Sequence, residues 1–85
     1  MIVSYSKNFI KTAKKFDPKI RHKLYECIET FTKNPLHPSL RNHPLKGKFK
    51  DYRSIDVTGD VRALYLQQED GAIFDIVGTH SSLYG

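Results

Sequence analysis

Val61-Arg62-Ala63-Leu64-Tyr65-Leu66-Gln67, then Gln68-Glu69-Asp70-Gly71, then Ala72-Ile73-Phe74-Asp75-Ile76-Val77 is the stretch that decides the fold. Its two runs are rich in β-branched, aromatic and aliphatic residues, which suit a pleated, half-buried surface. Glu69-Asp70-Gly71 between them supplies turn chemistry. Upstream, Phe49 to Val57 reads as a third strand, and Thr58-Gly59-Asp60 joins it to Val61. Consecutive strands with such short turns form an antiparallel meander.

The first half has a different period. Ile2-Val3-Ser4-Tyr5 alternates as a short strand. Ser6 then caps a helix predicted from Lys7 to Phe16, whose apolar stripe is Phe9, Ile10, Ala13 and Phe16. Asp17-Pro18 stops one helix and starts the next, with Asp at the N-cap and Pro at the first helical position. The second helix runs from Pro18 to Lys33, with Ile20, Leu24, Cys27, Ile28 and Phe31 on one face, and Asn34-Pro35 ends it. A tight turn at Asp17 makes the helices an antiparallel pair. The predicted fold is α+β, a two-layer β-α-α-β-β-β arrangement with both helices on one face of an antiparallel sheet. The other face is expected to be uncovered and available for binding.

The chain has 85 residues, which is one small domain spanning 1–85. Fourteen Lys and Arg against nine Asp and Glu give a formal net charge of +5. That balance favours a polyanionic partner, or simply a solubilising surface. The single cysteine, Cys27, excludes an internal disulfide and fits a reducing cytoplasm. It lies on the helix stripe and reads as a small buried hydrophobe. No apolar run approaches the roughly 20 residues of a membrane span.

Cleaving RNA without a metal requires a base for the 2′-hydroxyl, an acid for the leaving 5′-oxygen and cations for the phosphorane. The second half holds suitable groups: His43, Asp56, Asp60 and His80 for protons, Arg53 and Arg62 for charge. His80 follows Gly78 at the end of the last strand. His43 is held extended by Pro44 and, on the residues alone, reads first as a loop histidine making one hydrogen bond. Asp60 reads equally as a turn residue. Asp56 lies on the open face if Ile55 and Val57 face the core. Arg53 shares parity with Ile55, and Arg62 with Leu64 and Leu66, so alternation leaves their faces open. Tyr84 either stacks on a base or tucks onto the core. Lys46, Lys48 and Lys50 alternate beside Phe49, as a row that tracks a phosphate backbone or guards a sheet edge. His22 lies among helical Lys and Arg, and His37 between prolines, with no special pattern.

At these residues the chain resembles the RelE/ParE superfamily of bacterial toxin–antitoxin toxins, closest to the YafQ-like branch. The resemblance rests on His43-Pro44-Leu45-Lys46-Gly47, Tyr52-Arg53, Gly59-Asp60-Val61-Arg62-Ala63-Leu64-Tyr65 and Gly78-Thr79-His80-Ser81-Ser82-Leu83-Tyr84-Gly85, in order and at matching spacing. It implies a ribosome-dependent mRNA interferase that cuts mRNA in the ribosomal A site, against ribosomal RNA, with no metal or cofactor. It also implies a cognate antitoxin with an acidic segment, and operator DNA as a partner of the toxin–antitoxin complex only.

Carried over by position, His43, Asp60 and His80 match catalytic residues, Tyr84 a stacking aromatic and Arg62 an arginine that stabilises the transition state. Which histidine is base and which is acid stays open. The chain departs from the pattern at Asp56, where a further histidine is expected, at Val61, where a tryptophan is, and at Ile76, where an arginine is. One proton carrier is thus a carboxylate, and one cation is gone. Two other readings suit the same fold: a ParE-like inhibitor of DNA gyrase, and a toxin-derived binding module with impaired catalysis.

Overall fold

The computed structural model describes residues 1–84. β1 (Ile2–Tyr5) leads into α1 (Lys7–Ala13), and α2 (Pro18–Lys33) follows. The Ser6 hydroxyl accepts from the Phe9 amide at 3.0 Å, and the Asp17 carboxylate from the Ile20 amide at 3.1 Å, so both expected caps are present. α1 ends at Ala13 rather than Phe16. The reason is Pro18, which holds Asp17 extended (φ −66°, ψ 161°), so the chain must leave the helix before it. Phe16 still packs at the edge of the core.

The remaining strands are β2 (His43–Pro44), β3 (Arg53–Asp56), β4 (Val61–Gln68) and β5 (Gly71–Thr79), followed by the short helix α3 (His80–Tyr84). The sheet order is β1-β5-β4-β3-β2. β2 to β5 pair antiparallel, but β1 joins β5 in parallel, so the sheet is mixed rather than purely antiparallel. β1 lies so close that a Cβ on Gly71 would meet the Ile2 carbonyl oxygen at 1.7 Å. A bulge opposite Leu64 and Tyr65 leaves Asp75 unpaired in β5. Its carbonyl accepts from the Ser6 hydroxyl and the Asn8 side-chain Nδ2, both at 3.2 Å, which ties the bulge to the start of α1.

Phe9, Leu24, Ile28 and Phe31 from the helices meet Ile55, Ala63, Tyr65 and Phe74 from the sheet in one buried cluster. Phe74 is its hub: the Phe31 ring stands edge-on at 5.1 Å and the Phe9 ring lies at 5.8 Å. Such aromatic pairs add about 0.5–1.5 kcal/mol beyond their buried area.

Two expectations fail on the other face. The run Phe49 to Val57 is not one strand, because Gly47 has φ 67° and turns the chain into a 3-10 turn at Gly47–Phe49. Lys48 therefore lies inside a turn flanked by Lys46 and Lys50, and the three form no alternating row. Nor is the face uncovered. The Tyr52 hydroxyl donates to the Asp75 carboxylate at 2.6 Å, so its side chain reaches from beside β3 across β4 to β5. Phe49 stands edge-on to Tyr52 at 6.1 Å and to Tyr84 of α3 at 5.9 Å. Leu64, which points away from the helices, is fully buried on this side. The face is half roofed, and the unroofed half is a cleft.

The Tyr52–Asp75 bond also makes stability depend on pH. It raises the Tyr52 hydroxyl from 10.0 to about 12, with burial adding to the effect. The same bond holds the Asp75 carboxyl below its ordinary value of 3.8. By linkage, the Tyr52 contribution is complete below its unfolded value and lost as pH rises through about 12. The Asp75 contribution is complete above its unfolded value and lost as pH falls through the lower folded value. Tyr52→Phe should flatten both limbs of stability against pH in urea titrations, and an unaltered profile would contradict the pairing. In the same assay Gly71→Ala should cost about 1–3 kcal/mol through overpacking against β1. Gly59→Ala, which meets open space, should stay within about 0.5 kcal/mol of the parent.

Candidate active-site cleft

The cleft has a volume of about 550 Å³. Its floor comes from strand alternation. Asp56 and Arg62 are register partners across β3 and β4, and both point away from the core residues Ile55 and Ala63. Ser54, two residues before Asp56, continues the floor and is paired with His43 on β2. Leu45 and Arg41 complete that side, while His80 and Tyr84 of α3 form the opposite wall.

Each wall is held by local bonds. The Thr79 hydroxyl accepts from the Ser82 amide at 3.1 Å, which caps α3. The His80 amide donates to the Asp60 carbonyl at 2.8 Å and joins α3 to the β3–β4 turn. The His80 ring lies 4.8 Å from the Tyr84 ring, one helical turn on. On the other wall, His43 Nδ1 is 2.7 Å from the Arg41 carbonyl. A carbonyl only accepts, so Nδ1 carries the proton, and the neutral ring keeps a lone pair at Nε2. That is the tautomer a general base needs.

Charge is concentrated on the floor. Arg62 Nε lies 3.0 Å from the Asp56 carboxylate, with both side chains mostly buried. Arg62 Nη1 donates to the Thr58 carbonyl at 2.9 Å and the Gly59 carbonyl at 3.2 Å, so the guanidinium also staples the turn. Arg41 Nε approaches the other Asp56 oxygen at 3.6 Å from an exposed position. The Ser54 hydroxyl is fully buried and has no hydrogen-bond partner among the described residues. A buried hydroxyl left unpaired costs about 1–3 kcal/mol.

Of the residues singled out from sequence, the cleft brings together His43, Asp56, Arg62, His80 and Tyr84. Asp60 is exposed at the tip of the turn, and it meets His80 through its main chain, not its carboxylate. Arg53 faces the helix side: its Nε donates to Asn42 at 2.9 Å, in a separate depression with Asn34, Pro35 and Tyr65. Lys46, Lys48 and Lys50 are exposed and do not line the cleft, and Lys48 Nζ lies 5.1 Å from the Phe49 ring centre. Among the described residues His22 makes only an exposed contact with Glu26 at 3.7 Å, and His37 accepts from the Ser39 amide.

Sequence reading missed Arg41 and Ser54. Ser54 had a usable signal, since it shares parity with Asp56. Arg41 had none, because its backbone is left-handed (φ 49°), a conformation costing about 1–2 kcal/mol for a residue with a Cβ. Among the described residues, no three His, Cys, Asp or Glu side chains gather as a metal-binding group. No helix described is long and apolar enough to cross a membrane.

Comparison with known proteins follows the same lines. The family described as bacterial toxin of type II toxin–antitoxin system, YafQ, matches residues 1–85. A search of curated proteins returned no significant match. Among solved structures, YafQ from E. coli strain BL21(DE3) is 29% identical, covering 99% of this chain and 98% of its own, with a TM-score of 0.74. A Helicobacter pylori protein known from a solution structure, HP0894, is 34% identical over 96% of this chain and 97% of its own, at TM-score 0.67. YafQ in the E. coli DinJ–YafQ complex is 28% identical over 99% and 98%, at TM-score 0.70. A YoeB/ParE toxin from Agrobacterium tumefaciens, at 18% identity and TM-score 0.76 over 94% and 99%, shares the fold. A match along the whole chain, on a fold shared with these toxins, makes the protein a member of the YafQ family of type II toxin–antitoxin toxins.

Proposed function

We propose that this toxin is a ribosome-dependent mRNA interferase whose cleft cuts RNA by acid–base catalysis. The observation that carries the reading is the pair of histidines on opposite walls of one cleft, with Arg62 on its floor. In its neutral form His43 holds its proton at Nδ1 against the Arg41 carbonyl, which leaves Nε2 to act as the base. It takes the proton from the 2′-hydroxyl, and the 2′-oxygen attacks the neighbouring phosphorus. His80, protonated, gives its proton to the departing 5′-oxygen. The products are a 2′,3′-cyclic phosphate and a 5′-hydroxyl.

Arg62 Nη2 has no hydrogen-bond partner among the described residues, and its donors meet the phosphorane oxygens. Tyr84, 40% exposed beside His80, is the platform on which the nucleotide at the cut stacks. Asp60 contributes through its carbonyl, which sets the position of His80. Lys46, Lys48 and Lys50, exposed beyond the cleft, contact ribosomal RNA. The antitoxin that restrains such a toxin is expected to carry an acidic segment that orders on this basic protein. The pair together binds operator DNA, and the toxin works in the cytoplasm.

The assay is translation in a reconstituted system, with primer extension on the mRNA. The parent protein should cut only when ribosomes are present. His43→Ala and His80→Ala, shown to be folded, should each slow cleavage by about 10²–10⁴-fold. Asp60→Asn keeps the carbonyl and should lose less than either. Full cleavage by either histidine variant would overturn the assignment. No cleavage by the parent, together with inhibition of gyrase supercoiling, would favour a ParE-like activity instead.

A further inference from the structure

We propose that Arg41 is a second phosphate-binding residue of the cleft, tethered at its mouth by Asp56 until RNA arrives; this rests on the RNA-cleaving reading above. The starting point is an asymmetry between the two arginines that share Asp56. Arg62 is mostly buried and committed, with Nε on Asp56 and Nη1 on the Thr58 and Gly59 carbonyls. Arg41 is 79% exposed, and its one polar side-chain contact among the described residues is Nε with Asp56 at 3.6 Å. Its terminal nitrogens are free to make a bidentate contact with an incoming phosphate.

The backbone supports the same reading. Arg41 holds a left-handed conformation (φ 49°) that glycine adopts without strain. An arginine kept in such a position is a reason to look for a function in its side chain. The same residue's carbonyl fixes the tautomer of His43, so the turn that orients the base also presents the cation. On the same face, Ile76 lies opposite Leu64 in β5 and brings no charge. Asp56 then acts as a positioning residue, an internal anion between two guanidinium groups where a phosphate will compete for them.

The test is an NMR titration of the full chain with a trinucleotide made uncleavable by 2′-deoxy substitution. The Nε–Hε signals of Arg41 and Arg62 should move together on binding. Arg41→Gly keeps the turn and the carbonyl, so its melting temperature should equal or exceed the parent's. Its affinity should fall about tenfold, the loss expected for one charge-assisted contact. Arg41→Lys should recover part of it. An unmoved Arg41 signal, parent-like affinity in Arg41→Gly, or no binding by the parent at millimolar trinucleotide would each overturn the proposal. If Arg41-dependent binding is found in a toxin that never cuts mRNA on ribosomes, the phosphate site stands and the interferase reading falls.

Discussion

The register in which β3 meets β4 is the constraint on which the rest of the structure depends. Asp56 faces Arg62 across it, and their ion pair spans 3.0 Å on the side away from the helices. Side chains alternate with period two, so a slip of one residue in either strand would turn that strand's charge toward the core and part the pair. The pair therefore specifies the register as well as occupying the cleft floor. Arg62 extends that control into the turn, where it binds two carbonyls. The turn in turn holds His80 through the Asp60 carbonyl. A partly buried pair of this kind is worth little net stability after desolvation, and its value here is in the geometry it imposes.

The two faces of the sheet divide the work. One carries the apolar core, centred on Phe74 and packed by both helices. The other carries a smaller roof, in which Tyr52 crosses to Asp75 and Phe49 meets Tyr84. That roof buries Leu64 and anchors α3, so the wall bearing His80 is tied to the sheet through side chains as well as through its own strand. A short terminal helix without such contacts would fray.

What was legible in the sequence was local. Asp17-Pro18 and Asn34-Pro35 punctuate α2 through fixed φ angles and caps, and the structure places both ends of α2 there. The β4 and β5 runs were readable because each combines high β-propensity with a turn. The strand expected from Phe49 failed because Gly47 reverses the chain, a choice between two conformations that glycine leaves open. The helix-free face was misread because Tyr52 and Asp75 are joined by a long-range bond that no periodicity announces. In the cleft, Asp56 and His80 were named from residue type and position, while the roles of His43, Arg62 and Tyr84 rested on the family resemblance. Arg53 and Arg62 were ambiguous by parity, and only the observed register sends them to opposite faces. Arg41 was hidden because a positive φ on an arginine has no sequence signal.

The central claim is that the two histidines direct attack by the RNA's own 2′-hydroxyl. It is tested most directly by the chemistry of the cut ends. mRNA fragments made by the toxin on ribosomes would be isolated, and their termini identified by mass spectrometry. The account predicts a 2′,3′-cyclic phosphate, or the 3′-phosphate formed when it opens, on the upstream fragment and a 5′-hydroxyl on the downstream one. A 3′-hydroxyl paired with a 5′-phosphate would mean that water attacks instead, and would contradict it.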